Sequence, residues 1–144
     1  CGYCGSTLHY GCGDRKFKTV IAHGTPPYLE CSSKGDRRFS AFYARPAGFG
    51  GASIEELYQG AKVLEDGSGP GLTWKEAKGK KAINQEKLSE WYGRLWDVYV
   101  MQHPELFDVL INATGLSDVF GQPGHVCQAT ELWRIRNDLI RMRV

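Results

Sequence analysis

The chain has 144 residues, a length that suits one domain with a real hydrophobic core. Hydrophobic residues make up 42% and charged residues 24%, values near globular averages, so disorder is not the expected state. The net charge of +2 is too small to indicate a nucleic-acid-binding protein by itself. The sequence has no apolar run long enough to cross a bilayer and no signal-peptide pattern, so we expect a cytoplasmic protein without membrane contact.

The first 30 residues are rich in cysteine and glycine and form a predicted zinc-binding segment. Two cysteines stand in a Cys-x-x-Cys knuckle, and a third cysteine and a histidine follow. These are ligand types that tetrahedral Zn²⁺ prefers, and five cysteines, an odd number, favour a metal site over a disulfide framework. The expected ligands of this structural zinc site are Cys1, Cys4, Cys12 and His23. Either His9 or Cys31 is an alternative to His23, and no organic cofactor is expected.

Short strands are predicted near the N-terminus, where β-branched and aromatic residues gather. Residues 17–22 and 28–31 are two such segments, and Pro26 and Pro27 separate them. The aromatic run at residues 39–43 predicts a third strand. Together these segments predict a small sheet on one side of the protein.

The functional interpretation is built around a helix that begins after Ser53. Ser53 and Glu56 have the spacing of a capping box, in which each side chain bonds to a backbone N–H of the first turn. A glycine-rich turn at residues 48–51 precedes it, and the apolar spacing predicts a helix over residues 53–65. Glu55 therefore stands beside a loop, where a carboxylate suits acid or base chemistry on a small molecule. The helix dipole alone also favours an acidic residue here.

A basic segment and a strongly amphipathic helix follow. Residues 66–71 predict a glycine-rich loop, and residues 74–81 predict either a short helix or an ordered loop. Apolar side chains then recur at steps of three and four, which predicts a helix with a core-facing stripe and with Asn84 as its cap. The stripe consists of Leu88, Trp91, Tyr92, Leu95, Trp96 and Tyr99.

Two further helices are predicted in the last third of the chain. Pro104 suits the first position of a helix over residues 105–113, which Gly115 ends. Turn-forming residues then predict a loop over residues 118–125. The final helix, at residues 128–142, is expected to leave its arginines outside and to bury Leu132, Ile135 and Leu139, with Met142 as a further candidate.

The order of these elements predicts an α+β fold, predominantly helical, with a small strand region near the N-terminus. We expect a cysteine-rich zinc-binding segment at residues 1–30 and one compact helical domain at residues 31–144. No internal repeat or low-complexity linker is visible in the sequence.

Several segments together resemble the NADAR family. Residues 39–43 are similar to the family's Phe-Ser-Asn-Phe segment, and residues 53–62 to its glutamate-containing helix start, in which Gln and Lys follow. Residues 102–115 also contribute, and the Asp-Val-Phe-Gly run at residues 118–121 stands where the family has a late Trp-Gly. The resemblance covers residues 37–141 and leaves the cysteine-rich segment outside.

The resemblance implies an enzyme that cleaves N-glycosidic bonds. Family members act on ribosyl-phosphate intermediates of riboflavin synthesis or remove ADP-ribose from a modified guanine base. Glu55 stands at the position of the family's catalytic carboxylate, and Gln59 and Lys62 follow it. A carboxylate suits this reaction, because it stabilises an oxocarbenium-like state and deprotonates the attacking water. We therefore predict Glu55 and Lys62 as catalytic residues, with Glu56, where the family usually has His, as an alternative reacting group.

Substrate contacts are expected from three kinds of side chain. Cations suit phosphate, aromatic rings suit a stacked base, and polar residues of the late loop suit the ribose. The predicted substrate-binding residues are Arg37, Arg38, Phe42, Tyr43, Gln59, Asp118, Phe120 and Gly121. Residues 78–81 supply further cations, and His125 is an additional candidate. The expected partner is a small-molecule nucleotide or N-riboside, with ADP-ribosylated nucleic acid as a further candidate.

A second hypothesis is a zinc-containing module that binds a nucleotide or nucleic acid without turnover. Ala41 replaces the family's Asn and Phe120 replaces its Trp, which favours lost activity. Such binding would weaken steeply with salt, and it would be disfavoured by a neutral surface at the arginine-rich residues 134–143. A structural or partner-binding domain is the third hypothesis.

Overall fold

Five α-helices and three short strands make up the part of the protein that the structure describes. The structure is a computed structural model that describes residues 8–10, 28–118 and 126–143, with side chains from residue 29 onwards. The helices are α1 (Ile54–Gly60), α2 (Trp74–Ala77), α3 (Gln85–Met101), α4 (Phe107–Asn112) and α5 (Gln128–Met142), and the strands are β1 (Leu8–Tyr10), β2 (Tyr28–Glu30) and β3 (Gly115–Asp118). The fold is α+β with helices dominating, as the order of elements predicts.

Strand β3 is the central strand of the sheet, and both of its neighbours come from the N-terminal part of the chain. The strand order is β1-β3-β2, with β1 antiparallel and β2 parallel to β3. Leu8 lies opposite Asp118, and Glu30 lies opposite Ser117. All four residues of β3 are buried, because the strand has neighbours on both edges and is covered on both faces.

Strand β3 corrects the prediction for this part of the chain. Gly115 was predicted to end a helix and Asp118 to begin a loop, but Gly115 opens the strand and Asp118 closes it. Backbone pairing with two neighbouring strands outweighs the turn preference of Gly, Ser and Asp in so short a segment. The strand predicted at residues 28–31 is confirmed as β2, whereas residues 17–22 lie outside the described residues.

The third predicted strand, at residues 39–43, is wrong. Asp36 caps a 3₁₀ turn at Arg37–Phe39, and its carboxylate accepts a hydrogen bond of 3.0 Å from a backbone N–H of that turn. The backbone then turns again, since the Ala44 N–H donates to the Ser40 carbonyl oxygen at 2.8 Å. Local capping therefore overrides the β propensity of the aromatic residues.

Helix α1 begins as predicted but ends earlier. Ser53 is its N-cap, and the predicted capping box is present: Ser53 Oγ accepts from the Glu56 N–H at 3.2 Å, and Glu56 Oε1 accepts from the Ser53 N–H at 3.1 Å. The helix stops at Gly60 because the residues after it pair at long range, with Leu64 forming a β-bridge to Ala82.

Asn84 holds this extended stretch against the start of α3. Its Nδ2 donates to the Ala61 carbonyl oxygen at 3.1 Å, and its Oδ1 accepts from the Val63 N–H at 3.0 Å. Asn84 occupies the N-cap position of α3, as predicted, but its side chain makes no capping hydrogen bond. The side chain instead joins the two chain segments that flank α2.

Helix α3 forms the centre of the hydrophobic core, as its periodicity predicts. Every residue of the predicted stripe except Trp91 is buried, and Trp96 is fully enclosed. Trp91 is half-buried and donates its indole N–H to the Leu57 carbonyl oxygen of α1 at 3.3 Å. The ring of Tyr92 packs edge-on against Tyr58 of α1, with ring centres 5.4 Å apart. Helix α3 therefore fixes the position of α1.

Helix α5 packs against α3, α4 and the sheet. Leu132, Ile135 and Leu139 are buried as predicted. Met142 is 74% exposed, contrary to the prediction, because the last turn of α5 extends beyond the core. The helix predicted after Pro104 is a 3₁₀ turn, Pro104–Leu106, that continues as α4. Within the described ranges, no helix combines the length and apolar character that a membrane crossing requires.

Candidate functional site

An open hollow lies where the start of α1, the start of α2 and the turn that carries Phe42 meet. Its volume is about 320 Å³, and it is lined by Phe42, Ser53, Glu55, Glu56 and Trp74. The ring of Phe42 is 48% exposed and so is available to a ligand. The hollow brings together two aromatic rings and two carboxyl groups.

Two backbone hydrogen bonds fix the Phe42 turn to the first turn of α1. The Glu55 N–H donates to the Ala41 carbonyl oxygen at 3.0 Å, and the Ile54 N–H donates to that of Ala44 at 2.9 Å. The first N–H groups of a helix have no partner inside it, so an outside acceptor stabilises them. Phe42 and Glu55 are therefore held in one hollow by main-chain contacts that do not depend on which side chain residue 41 carries.

Gln59 orients the Glu55 carboxylate. Its Nε2 donates to Glu55 Oε1 at 2.8 Å across one helical turn. Gln59 is 8% exposed, and its Oε1 has no hydrogen-bond partner in the described part of the chain. A buried acceptor without a partner costs about 1–3 kcal/mol. Gln59 itself is not among the residues that line the hollow.

Glu56 also lines the hollow, but its carboxylate is occupied with the cap of α1. Its Oε1 accepts from the Ser53 N–H at 3.1 Å and from Arg45 Nη1 at 3.3 Å. The Ser53 N–H lowers the pKa of the Glu56 carboxyl, and the Arg45 charge lowers it further. Glu55 is therefore the better placed of the two for proton transfer.

Trp74 is a site residue that sequence reasoning missed. It is the first residue of α2, which Thr73 caps through a second capping box with Glu76. The Thr-x-x-Glu spacing is visible in the sequence and would have predicted a helix start here. Lys78 Nζ lies 4.3 Å from the centre of the Trp74 ring, so a cation stands beside the hollow on the α2 side.

Lys62 is close to Glu55 but is not among the residues that line the hollow. It is 7% exposed, and its Nζ donates to the carbonyl oxygens of Ala77, at 3.2 Å, and Lys80, at 3.0 Å. Burial lowers the pKa of Lys62, and the nearby Glu55 carboxylate partly offsets this. The ammonium group therefore ties the end of α2 to the end of α1.

Arg37, Arg38 and Tyr43, three of the predicted substrate-binding residues, do not line the hollow. The Arg37 guanidinium lies over the Tyr43 ring, 4.7 Å from its centre. Arg38 Nη2 donates to the Asp36 carboxylate at 2.7 Å. These contacts hold both guanidinium groups within residues 36–43.

Asp118 belongs to a buried polar cluster at the end of β3. Its carboxylate accepts from Cys127 Sγ at 3.2 Å and from Gln128 Nε2, and Gln128 Oε1 accepts from the Tyr92 hydroxyl at 3.3 Å. Burial raises the pKa of Tyr92 well above its ordinary value, and the charges of Glu55 and Asp118 add to the increase. Tyr92 therefore lies within electrostatic range of both carboxylates, although Asp118 does not line the hollow.

Several predicted site residues lie outside the described residues. They are the zinc ligands Cys1, Cys4, Cys12 and His23, the loop residues Phe120, Gly121 and His125, and the side chain of the alternative ligand His9. Cys31, the other alternative, is fully buried in the core, and burial raises the pKa of its thiol, which disfavours the thiolate that a metal needs. In the ranges that the structure describes, no three His, Cys, Asp or Glu side chains gather as a metal site.

Two of the three arginines of α5, Arg134 and Arg141, form ion pairs with acidic residues of the protein itself, and the third, Arg136, bonds to the Ala113 carbonyl oxygen and to Asn137. Arg134 Nη2 bonds to Asp97 at 2.9 Å and to Glu131 at 3.0 Å. Arg141 pairs with Asp138, three residues earlier in the helix. Internal pairing reduces the positive charge that this helix offers to a nucleic acid, which counts against the second hypothesis.

The resemblance to the NADAR family rests on the sequence segments described above. No family model matches the chain, and no curated protein matches it. The function proposed for this protein therefore rests on the geometry of the hollow.

Proposed function

We propose that this protein is a hydrolase that cleaves the N-glycosidic bond of a ribosyl-phosphate or of an ADP-ribosyl, guanine-type substrate. The observation that supports the proposal is the position of Glu55, which lines a hollow of about 320 Å³ together with Phe42 and Trp74. Ligand sites range upwards from roughly 300 Å³, so the hollow suits one nucleoside-sized group. Any larger part of a substrate would extend beyond it.

Glu55 serves the reaction first through its charge. As the bond between ribose C1 and the base lengthens, positive charge develops on C1 and the ring oxygen, and a carboxylate nearby lowers the free energy of that state. Glu55 then takes a proton from the attacking water, whose oxygen bonds to C1. The departing base takes up a proton from solvent, and Glu55 returns the proton it took to solvent. The net reaction therefore adds one water across the C–N bond and restores the carboxylate.

Gln59 supports this chemistry through the N–H of its side-chain amide. Its Nε2 holds Glu55 Oε1, and no other side chain in the described part of the chain donates to that carboxylate, so Oε2 remains available for proton transfer. Its own Oε1 is buried without a partner among the described residues, and Gln59 is not one of the residues that line the hollow. We therefore assign Gln59 a positioning role that acts through Glu55.

Lys62 supports the hollow from within the protein. Because its ammonium bonds to the Ala77 and Lys80 carbonyl oxygens, it holds α2, and with it Trp74, against α1. Its charge also acts on Glu55 at short range. We therefore assign Lys62 a positioning role in the proposed reaction.

Hydrolysis of ADP-ribosylated guanine nucleotides and of N-ribosyl phosphates tests the proposal. The wild-type protein should release free base, and Glu55→Gln should lower the rate about 10²–10⁴-fold, the usual contribution of a positioned general base. Glu65→Gln, at an exposed position after α1, is the matched control and should keep the wild-type rate. All three proteins should unfold at the same temperature. Equal inactivity of the wild type and Glu55→Gln on the whole panel would show that the proposal is wrong.

A further inference from the structure

We infer that Phe42, Trp74 and Lys78 form a nucleotide-recognition surface, on which the two rings hold a planar base and the ammonium group binds a phosphate. The inference rests on the proposed function of the hollow and adds to it the residues that hold the base and the phosphate, and the orientation of the ligand. The observations that carry it are the two rings, the position of the cation and the separation of charge across the hollow.

The two rings are not part of the hydrophobic core. The core cluster and the side chains packed against it include neither Phe42 nor Trp74, whereas Trp91 and Trp96 belong to it. Both rings instead line the hollow, although they come from chain segments about 30 residues apart. A planar heteroaromatic base that enters the hollow covers apolar ring surface that water otherwise contacts, and stacking tolerates any base.

Lys78 adds a phosphate-binding group next to the Trp74 ring. Its Nζ lies 4.3 Å from the ring centre, and its side chain is exposed. A cation–π contact at an exposed site is weak, so the flexible side chain can exchange it for a phosphate at little cost. Three more exposed lysines, Lys75, Lys80 and Lys81, lie in the same segment of the chain, together with the acidic Glu76.

The charges of the hollow set the direction of the ligand. Glu55 and Glu56 line the α1 side, where they repel a phosphate, and Lys78 stands on the α2 side. A nucleotide is therefore held with its sugar towards Glu55 and its phosphate towards Lys78. In this orientation ribose C1 lies beside Glu55, the candidate general base.

Calorimetric titration with GMP, guanosine and ribose 5-phosphate tests the inference without turnover, on the Glu55→Gln background. GMP should bind more tightly than either fragment, and Trp74→Ala should weaken GMP binding about tenfold, the usual effect of removing one stacking ring. Trp74→Phe keeps a ring and should stay within about threefold of the parent. Lys78→Gln should remove the preference for GMP over guanosine.

The matched control is Trp133→Phe on α5. Trp133 also carries a cation over its ring, with Arg136 at 4.4 Å from the ring centre, but it lies outside the hollow. This variant should bind GMP like the parent. The inference is wrong if the parent does not bind GMP, if Trp74→Ala binds as tightly as Trp133→Phe, or if Lys78→Gln keeps the preference for GMP.

The two proposals can fail separately. If GMP binding depends on Trp74 and Lys78 but the wild-type protein cleaves no N-riboside, the nucleotide surface stands and the hydrolase proposal fails. If N-ribosides are cleaved and GMP binding does not depend on either residue, the hydrolase proposal stands and the nucleotide surface fails. Should Trp74→Ala not fold, Trp74→Phe and Lys78→Gln still decide the question, since neither removes a core contact.

Discussion

The side-chain amide of Gln59 donates a 2.8 Å hydrogen bond to Glu55 Oε1 while its own oxygen is buried without a partner among the described residues. This oxygen lowers the stability of the free protein, because a buried acceptor without a hydrogen bond is unfavourable. A residue that costs stability and also orients a carboxylate in an open hollow is better explained by ligand binding than by folding.

Gln59→Leu should separate these two effects. Leucine removes the buried orphan oxygen, so we expect the free energy of unfolding to stay the same or to rise by about 1 kcal/mol. It also removes the hydrogen bond that orients Glu55, so the hydrolysis rate should fall about tenfold or more. Urea denaturation and rate measurements on the same samples check both expectations. A variant that is less stable but equally active would contradict them.

Removal of the N-cap hydroxyl should lower the free energy of unfolding by different amounts at the two capping boxes. Ser53→Ala removes the hydroxyl that accepts from the Glu56 N–H, and we expect α1 to lose about 1 kcal/mol of stability. Thr73→Ala removes the equivalent contact from the four-residue, more exposed helix α2, so its effect on global unfolding should be smaller. Denaturant titration measures both values. A larger loss for Thr73→Ala would mean that α2, rather than α1, anchors the site.

Two glycines of the described chain should respond in opposite ways to alanine. A Cβ at Gly35 would stand 1.9 Å from the Glu30 carbonyl oxygen, so the backbone must move, and we expect a loss of about 2–4 kcal/mol. A Cβ at Gly93 would stand 2.8 Å from Glu131 Oε1, with Glu131 Cδ at 3.5 Å and Arg134 Nη2 at 3.7 Å, and all three atoms are at the ends of flexible side chains. Because Gly93 is inside α3, alanine gains up to about 1 kcal/mol of helix propensity, and the net change should be near zero or favourable. Thermal unfolding temperatures rank the two variants.

Cys127 should make the protein less stable at alkaline pH. Burial and the nearby Asp118 charge raise the pKa of its thiol from 9.0 to about 12. The folded protein therefore keeps a proton that the unfolded chain releases, so the stabilisation is complete below pH 9 and is lost as the pH rises towards 12. The free energy of unfolding should fall by up to about 1.4 kcal/mol per pH unit in this window from this one proton.

Cys127→Ala should flatten this fall. Urea titrations at several pH values between about 8 and about 11 measure the slope for each protein. Tyr92 and Cys31, whose pKa values burial also raises, remain in the variant and should leave a smaller slope. Equal slopes for wild type and variant would show that the thiol is not the group that titrates.

The helices of the core could be predicted from sequence because their cause is local. Apolar side chains at steps of three and four place one face of α3 and one face of α5 in the core, and both helices lie where this spacing predicts. The start of α1 could also be predicted, since the Ser53–Glu56 capping box involves residues only three apart in the sequence. The end of α1 could not be predicted, because it depends on the pairing of Leu64 with Ala82, which is distant in the sequence.

The central strand β3 and the α2 side of the hollow depend on contacts between residues that are far apart in the sequence. Strand β3 consists of Gly, Leu, Ser and Asp, which locally favour a turn, and becomes a strand only through its two partners. Glu55 and Phe42 were both predicted to contribute to a site. Trp74 joins them because Lys62 reaches across to the end of α2, a contact that no local pattern indicates.

The place of β3 in the chain has a consequence for how the protein is made. A ribosome adds roughly 5–20 residues per second, so the two outer strands emerge several seconds before the strand that joins them. During that interval their edges have no partner and can pair with another chain, while α1 and α3 are already able to pack together. A nascent chain halted before residue 115 should therefore recruit chaperones more strongly than one halted after residue 118.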